Sequence, residues 1–379
     1  MTDWEPSDIT AIEDAARRFA DTEVRPHLEA WEEAGEFPRA MYARLGEMGW
    51  LGMGYPEELG GTPAPQSARN ALSVALARHT ASGGFMAGAF SHSIGLPPIL
   101  RHASAELKQR IVPGVLRGEH ISALAISEPG GGSDVAALRT TARLEGDHYI
   151  IDGEKTFITS GVRADWLTVA VRTGPGSLSL LAVPGATPGI TRTPLKKMGW
   201  LCSDTAHLHF DGVRVPTANL IGEEGKGFKI IMTNFNGERI ALAAISLGMA
   251  EACYDEALAW ARARKTFGSA LVEHQVVRHK LVDMRMRIGS TRAWLDQVSG
   301  RADRGETDAE WVADVCMLKN HATQSLQFCA DQAVQLLGGM GFMRGTACER
   351  IYREVKVAMI GGGTEEIMKE LAARQLGLA

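Results

Sequence analysis

The spacing of apolar and polar residues divides the chain into three stretches. Over residues 1–122 the apolar positions recur at helical intervals, as in Ile9, Ile12, Ala16, Phe19 and Ala20. Breaks fall at Pro56–Gly61 (PEELGG) and Gly95–Pro98 (GLPP), and a short helix is predicted over Ser104–Val112. Over residues 123–226 the period changes to two. The segment HYIIDGEKTFITSG alternates about Asp152-Gly153, which predicts a hairpin turning there. WLTVAVRT, LSLLAVP and HLHFDGVRVP continue the strand pattern, and strands this short and regular predict a small sandwich or barrel. Over residues 227–379 helical spacing returns: Phe228–Arg264 around Gly237, His274–Ser299, Ala309–Leu337 and Gly363–Leu376. The order is α, then β, then α, and the last stretch has the length of a helix bundle.

Composition narrows the function. Forty-five acidic residues against 40 basic ones give a formal charge of −5, a balance that argues against nucleic acid as the main partner. Cys202, Cys253, Cys316, Cys329 and Cys348 are scattered without a CxxC pair, as suits a reducing compartment. The acidic start, MTDWEPSD, has no apolar core of a signal peptide and is a poor transit peptide. The longest nearly apolar run, Ile240–Ala250, is too short to span a bilayer. A bacterial cytoplasmic protein is expected.

Several motifs allow both a chemical and a structural reading. Ser127–Asp134 (SEPGGGSD) is either a flexible turn or a loop whose backbone N–H groups approach a phosphate or a flavin. Phe157 and Thr159, two apart on a strand, could face a ring system or be ordinary half-buried residues. Arg264 in RKTFG suits a helix C-terminus and equally a pyrophosphate. One glycine of LLGGMGF (Leu336–Phe342) is explained by a helix cap; Gly338, Gly339 and Gly341 together are explained less well. In IGGGTEEIMKEL, Thr364 is the expected N-cap, with Ile367 opening an apolar stripe through Leu371, and a glycine loop before a helix also suits an anion or polarised carbonyl. Glu238 shares a helical stripe with Leu242, Ile245 and Met249. It is either a carboxylate made basic by burial or one satisfied by an arginine such as Arg285 or Arg287. His207 and His209 alternate on a strand, but no third ligand has metal-site spacing, so no metal is expected. His92 stays undecided between a packed and a pocket residue.

In their order along the chain, SEPGGGSD, FITSG, RKTFG, HQ, LLGGMGF and GGGTEEI resemble the acyl-CoA dehydrogenase family from about residue 35 to 375. The resemblance implies an α+β fold: an N-terminal α-helical domain (1–122), a middle β-barrel-like domain (123–226) and a C-terminal four-helix bundle (227–379). It also implies FAD, an acyl-CoA substrate and a homotetramer made as a dimer of dimers. On that resemblance Leu124, Ile126, Ser127, Gly132 and Ser133 form the flavin loop, Ser133 also touching the CoA arm. Phe157, Ile158 and Thr159 pack on the isoalloxazine. Arg264, Thr266, Phe267, His274 and Gln275 bind FAD across a dimer interface. Gln335, Leu336, Leu337, Gly338 and Gly339 complete that FAD site, and Thr364 and Glu366 make its last contacts. Asn236, Arg239 and Gly363 lie along the substrate.

One position departs from the common pattern. Many members carry their catalytic glutamate where this chain has Gly362. A branch that includes long-chain and isovaleryl-CoA dehydrogenases carries it instead just before an arginine on the long helix, where this chain has Glu238-Arg239. The resemblance therefore implies Glu238 as the base that removes the α proton, with the β hydride passing to flavin N5 and the Gly362 N–H holding the thioester oxygen. The missing side chain at 362 would admit a longer or branched acyl group. The expected electron acceptor is an electron-transferring flavoprotein. The alternatives are another flavin reaction on this fold (oxidase, desulfinase, monooxygenase or acyl-carrier-protein dehydrogenase) and a non-catalytic assembly factor.

Overall fold

A computed structural model describes residues 4–378; positions 1–3 and 379, the outermost of the expected domain limits, lie outside the described residues. The helical spacing of the first stretch becomes Pro6–Phe19, which continues through a π turn at Ala20–Val24, then Leu28–Ala34, Ala40–Glu47, Gln66–Thr80, Gly83–Ala89 and Ala105–Leu116. Phe19, Leu45 and Phe85 from these helices and Phe37 from the loop between two of them are fully buried together, the Phe85 ring tilted against those of Phe19 and Phe37.

The middle stretch forms one curled sheet. From one edge its strands run Ile190–Pro194, Thr205–Pro216, His148–Thr159, Thr141–Glu145, Trp166–Gly174, Ser177–Pro184 and Leu220–Ile221, with Ser122–Ala125 added in parallel to Trp166–Gly174. Thr141–Glu145 meets Trp166–Gly174 at a single register pair, Thr141 with Arg172, so the sheet splays and bends there. Bending brings Leu181 and Val183 into one core with Leu208, Phe210 and Val213 from the far side of the sheet. The opposite face of the same strands, Leu178, Leu180 and Ala182, packs on Ile99, Leu107 and Ile111 of the N-terminal helices.

The hairpin expected at Asp152-Gly153 is absent. His148–Thr159 is one continuous strand, and the chain reverses before it, between Glu145 and His148. Asp152 sits instead at a bulge opposite Asp211 and Gly212, where its Oδ1 accepts the Gly212 N–H at 2.8 Å. A β-carbon on Gly153 would stand 2.7 Å from the Thr140 Cα, so close strand packing requires this glycine. A second bulge follows between Lys155 and Ile158 and puts Phe157 at φ 60. The simple two-residue alternation of Phe157 with Thr159 fails for that reason.

The last stretch is a bundle. Its helices are Gly227–Ala263, Gln275–Asp303, Ala309–Leu337 and Ala347–Ile360, followed by Glu365–Gln375. Asp308 and Thr364 cap two of them through their side chains, Thr364 as expected. The long helix Gly227–Ala263 is buried against Ala309–Leu337 on one side and Gln66–Thr80 on another. The second crossing passes through Gly248, where a β-carbon would meet the Val74 carbonyl at 2.3 Å. In Glu365–Gln375 the buried positions are Met368 and Ala372; Ile367 is partly exposed, so the expected stripe lies one residue further along.

Candidate active site

The Gly361–Gly363 turn closes against the long helix at Glu238. Gly362 and Gly363 have φ of 67 and 109, the left-handed region that glycine enters without steric cost. A β-carbon built on Gly362 would stand 3.6 Å from the Glu238 Oε1 and 2.9 Å from the Leu242 Cδ1. The Glu238 carboxylate thus occupies the space toward which a side chain at 362 would project. It makes no hydrogen bond or ion pair among the described residues. The two arginines considered as partners are engaged elsewhere: Arg285 lies over Tyr254 and Arg287 over Phe328. Burial raises the Glu238 carboxyl to about 7, against the opposing pull of Arg239 and Lys319.

Two buried cations fasten the turn. The Arg239 Nε donates to the Gly362 carbonyl at 3.2 Å and its Nη1 to Asn236 at 3.0 Å. The Lys319 Nζ donates to the carbonyls of Met359 at 3.1 Å and Gly363 at 2.8 Å. The Gly362 N–H has no partner among the described residues. Beside the turn, Leu242, Ile245, Ser246 and Met249 of the long helix line a cavity of about 50 Å³ closed by Trp200, Leu326 and Val355.

The glycine-rich loop lies at the other side of the long helix's first turns. Leu124 and Ile126, which lead into it, share an apolar cluster with Met232 and Phe235. The loop's base is held by an ion pair that the motif reading missed. Lys155, fully buried, donates to the Glu128 Oε1 at 2.8 Å and to the Ile126 carbonyl at 3.0 Å. Glu128 also accepts the N–H groups of Arg139 and Thr140. Burial pushes the Glu128 carboxyl up, but Lys155 and these donors outweigh it and leave it below its ordinary value. The one sequence signal was a lysine two residues from Gly153, on the strand face that Ile151 buries.

These residues suit a flavin. The N–H groups of Gly130, Gly132 and Ser133 have no partner among the described residues, and β-carbons on Gly130 and Gly131 would meet nothing within 4 Å. Phe157, 71% exposed, turns an apolar ring outward next to Ile158, which is buried, and Thr159, whose hydroxyl has no partner among the described residues. Thr364 and Glu366 lie at the helix start that follows the Gly361–Gly363 turn.

The remaining expected cofactor residues are not in this group. Ala263, which precedes Arg264, is twenty-five residues along the long helix from Glu238, about 38 Å at about 1.5 Å per residue. Arg264, Thr266, Phe267, His274 and Gln275 form a small arm there, with Thr266 paired to Ser269 and the Phe267 ring 99% exposed. Gln335, Leu336, Leu337, Gly338 and Gly339 lie at the same end of the bundle, since Lys280, near the arm, bonds Gln332. Phe342 and Met343 are exposed beside them. One chain therefore holds two separated sets of candidate cofactor residues.

The profile of the acyl-CoA dehydrogenase N-terminal domain matches residues 6–119, that of the middle domain residues 123–213 and that of the C-terminal domain residues 225–377. The chain belongs to the acyl-CoA dehydrogenase family. It is 35% identical over 365 residues to an acyl-CoA dehydrogenase of Bacillus subtilis (strain 168), covering 95% of each chain. A crystal structure from Mycobacterium smegmatis, of a chain assigned to the acyl-CoA dehydrogenases, is 43% identical, with a TM-score of 0.95 over 99% of this chain and 98% of that one. A glutaryl-CoA dehydrogenase of the same organism, solved in complex with FADH2, is 25% identical, with a TM-score of 0.93 over 99% of this chain and 96% of that one.

Proposed function

We propose that this protein oxidises an acyl-CoA thioester to the trans-2-enoyl-CoA, with Glu238 as the base. The observation that carries this reading is the 3.6 Å between the Glu238 Oε1 and the point where a side chain at 362 would begin. The α proton of a thioester is far less acidic than a carboxylic acid, so the base must act together with a donor to the thioester oxygen. The unpaired Gly362 N–H is that donor. Glu238 takes the α proton in its ionised form, which burial makes a stronger base. When bound, FAD accepts the hydride from the β carbon. Ser127, Gly132, Ser133, Phe157 and Thr159 would hold it on this chain.

The arm at Arg264 and the loop at Gln335 would complete the FAD site of a second copy, since they lie too far from Glu238 to serve their own chain. This supports a homodimer as the smallest active unit and, with the family resemblance, a dimer of dimers. On this reading the acyl tail would extend toward the cavity beside Leu242. Electrons then pass to an electron-transferring flavoprotein in a bacterial cytoplasm. The test is anaerobic titration of the FAD-loaded protein with straight and branched acyl-CoAs, wild type beside Glu238→Gln. Bleaching in the wild type alone supports the reading, and equal bleaching in both overturns it.

A further inference from the structure

Two lysines are fully buried among the described residues, Lys155 and Lys319. Lys155 is matched by Glu128 at 2.8 Å. Among the described residues Lys319 has no carboxylate within ion-pairing distance, and neither has Arg239 beside it. An unbalanced charge in a protein interior is costly unless something there uses it. The groups that face Lys319 are Glu238 and Arg239 on the long helix, Cys316 on its own helix and Glu365 on the last helix. Glu365 is paired with Lys369 at 2.6 Å, so of the carboxylates that face Lys319 only Glu238 is left to offset the two cations.

We propose that Lys319 is a positioning residue of the dehydrogenation, an inference that rests on Glu238 as base and the Gly362 N–H as oxygen donor. Through the carbonyls of Met359 and Gly363, its ammonium fixes the Gly361–Gly363 turn in the conformation that leaves the Gly362 N–H free. Its unbalanced charge also favours the negative charge that develops on the thioester oxygen as the α proton leaves. Both effects act in the transition state more than in binding, so they appear in the rate of flavin reduction and not in thioester affinity. Burial lowers the Lys319 ammonium to about 8, so it loses its proton just above neutral pH. The rate of reduction is then bell-shaped in pH: it rises as Glu238 ionises near 7 and falls as Lys319 is neutralised.

The test compares FAD-loaded wild type, Lys319→Met, Lys319→Arg and Glu238→Gln. Three quantities are read: the anaerobic rate of flavin reduction across pH, the affinity for a non-reducible acyl-CoA thioether, and amide exchange over residues 361–364. Lys319→Met is expected to bind the thioether within about threefold of wild type, and to reduce flavin roughly tenfold to hundredfold more slowly. Its acidic limb should move to higher pH, because a cation that favours the Glu238 carboxylate is gone, and the turn amides should exchange faster. Lys319→Arg should keep the acidic limb and lose the basic one, since guanidinium does not titrate there. Wild-type rates and limbs in Lys319→Met, with Glu238→Gln inert, overturn the proposal while leaving the base assignment in place. Normal reduction by Glu238→Gln overturns the base assignment and this inference with it. If Lys319→Met fails to fold, Lys319→Arg decides: a wild-type basic limb overturns the proposal, and its loss supports it.

Discussion

Replacing Glu238 by glutamine separates what a buried carboxylate does for catalysis from what it does to stability. The carboxyl rises from an ordinary 4.5 to about 7 in the folded chain. An acid whose folded pKa lies above its unfolded value binds its proton more tightly when folded. Its contribution to stability is therefore fully present below about 4.5, declines through the window up to about 7, and stays lost at higher pH. At about 1.4 kcal/mol per tenfold change, that loss has an upper limit of about 3.5 kcal/mol. Solvent reaching the carboxylate from the cleft reduces it to about 1–3 kcal/mol. Glutamine keeps the shape and carries no charge. Relative to wild type, Glu238→Gln should gain this amount on going from pH 5 to pH 8, whatever constant offset its amide introduces. Scanning calorimetry of both proteins at the two pH values measures it as a change in the Tm difference. The same variant should lose about 10²–10⁴-fold in the rate of anaerobic flavin reduction, the usual share of a general base. A Tm difference that does not change between the two pH values would refute the burial of a charge at 238. Retained flavin reduction would refute its role as base.

Gly362→Ala should lose about 1–2 kcal/mol to a left-handed backbone at φ 67, and its β-carbon must displace Leu242. Flavin reduction should slow even where denaturant titration shows the fold intact. Glu128→Gln leaves the Lys155 ammonium buried without its counter-charge, a loss of about 3–5 kcal/mol if the pair breaks. The expected readouts are a lower Tm and release of FAD on gel filtration. Arg264→Ala should reduce the FAD retained per chain while leaving wild-type Tm in FAD-free protein, because Arg264 is an exposed residue of the arm; retention equal to wild type would exclude it from the cofactor site.

The long helices were legible because their signals are local and repeated. Ala309–Leu337 begins and ends where its apolar spacing does, with Asp308 as cap, and Phe228–Arg264 was expected one residue late at each end. The strand turns were not legible in the same way. Asp152-Gly153 carries a turn signature, yet the Gly212 N–H, sixty residues away, binds Asp152 and makes it a bulge. A local pattern does not reveal which distant strand completes it. The same limit hid Lys319. A single lysine in an apolar helix reads as exposed, and only the fold brings the Met359 and Gly363 carbonyls to it. Glu238 was recognisable from its stripe and from the family pattern. That it lacks an arginine partner follows only from seeing Arg285 and Arg287 against aromatic rings.

Glycine at 362 and glutamate at 238 are tied by space and charge as much as by pattern. A carboxylate starting from 362 would enter the volume that the Glu238 carboxylate holds, since the first carbon alone falls 3.6 Å from Oε1. Two such charges about 4 Å apart repel by about 4 kcal/mol at an effective dielectric of about 20. One of them would then hold a proton near neutral pH and stop acting as a base. A centre with both carboxylates therefore gains no second base and weakens the one it has. On the proposed mechanism a carboxylate at either position alone occupies the same region, reached from the helix in one case and from the turn in the other. On the proposed mechanism the turn keeps its second task in both arrangements, because the N–H assigned to the thioester oxygen belongs to the backbone and survives the loss of the side chain. A helix-borne base is tied to the turn through its neighbour, since Arg239 on the same helix donates to the Gly362 carbonyl. Glu238 sits on the long helix, packed on two sides, while Arg239 and Lys319 hold the turn's carbonyls from outside it. On the proposed mechanism base and donor sit on different elements, Glu238 on the long helix and the Gly362 N–H on the turn, and Leu242 packs between them.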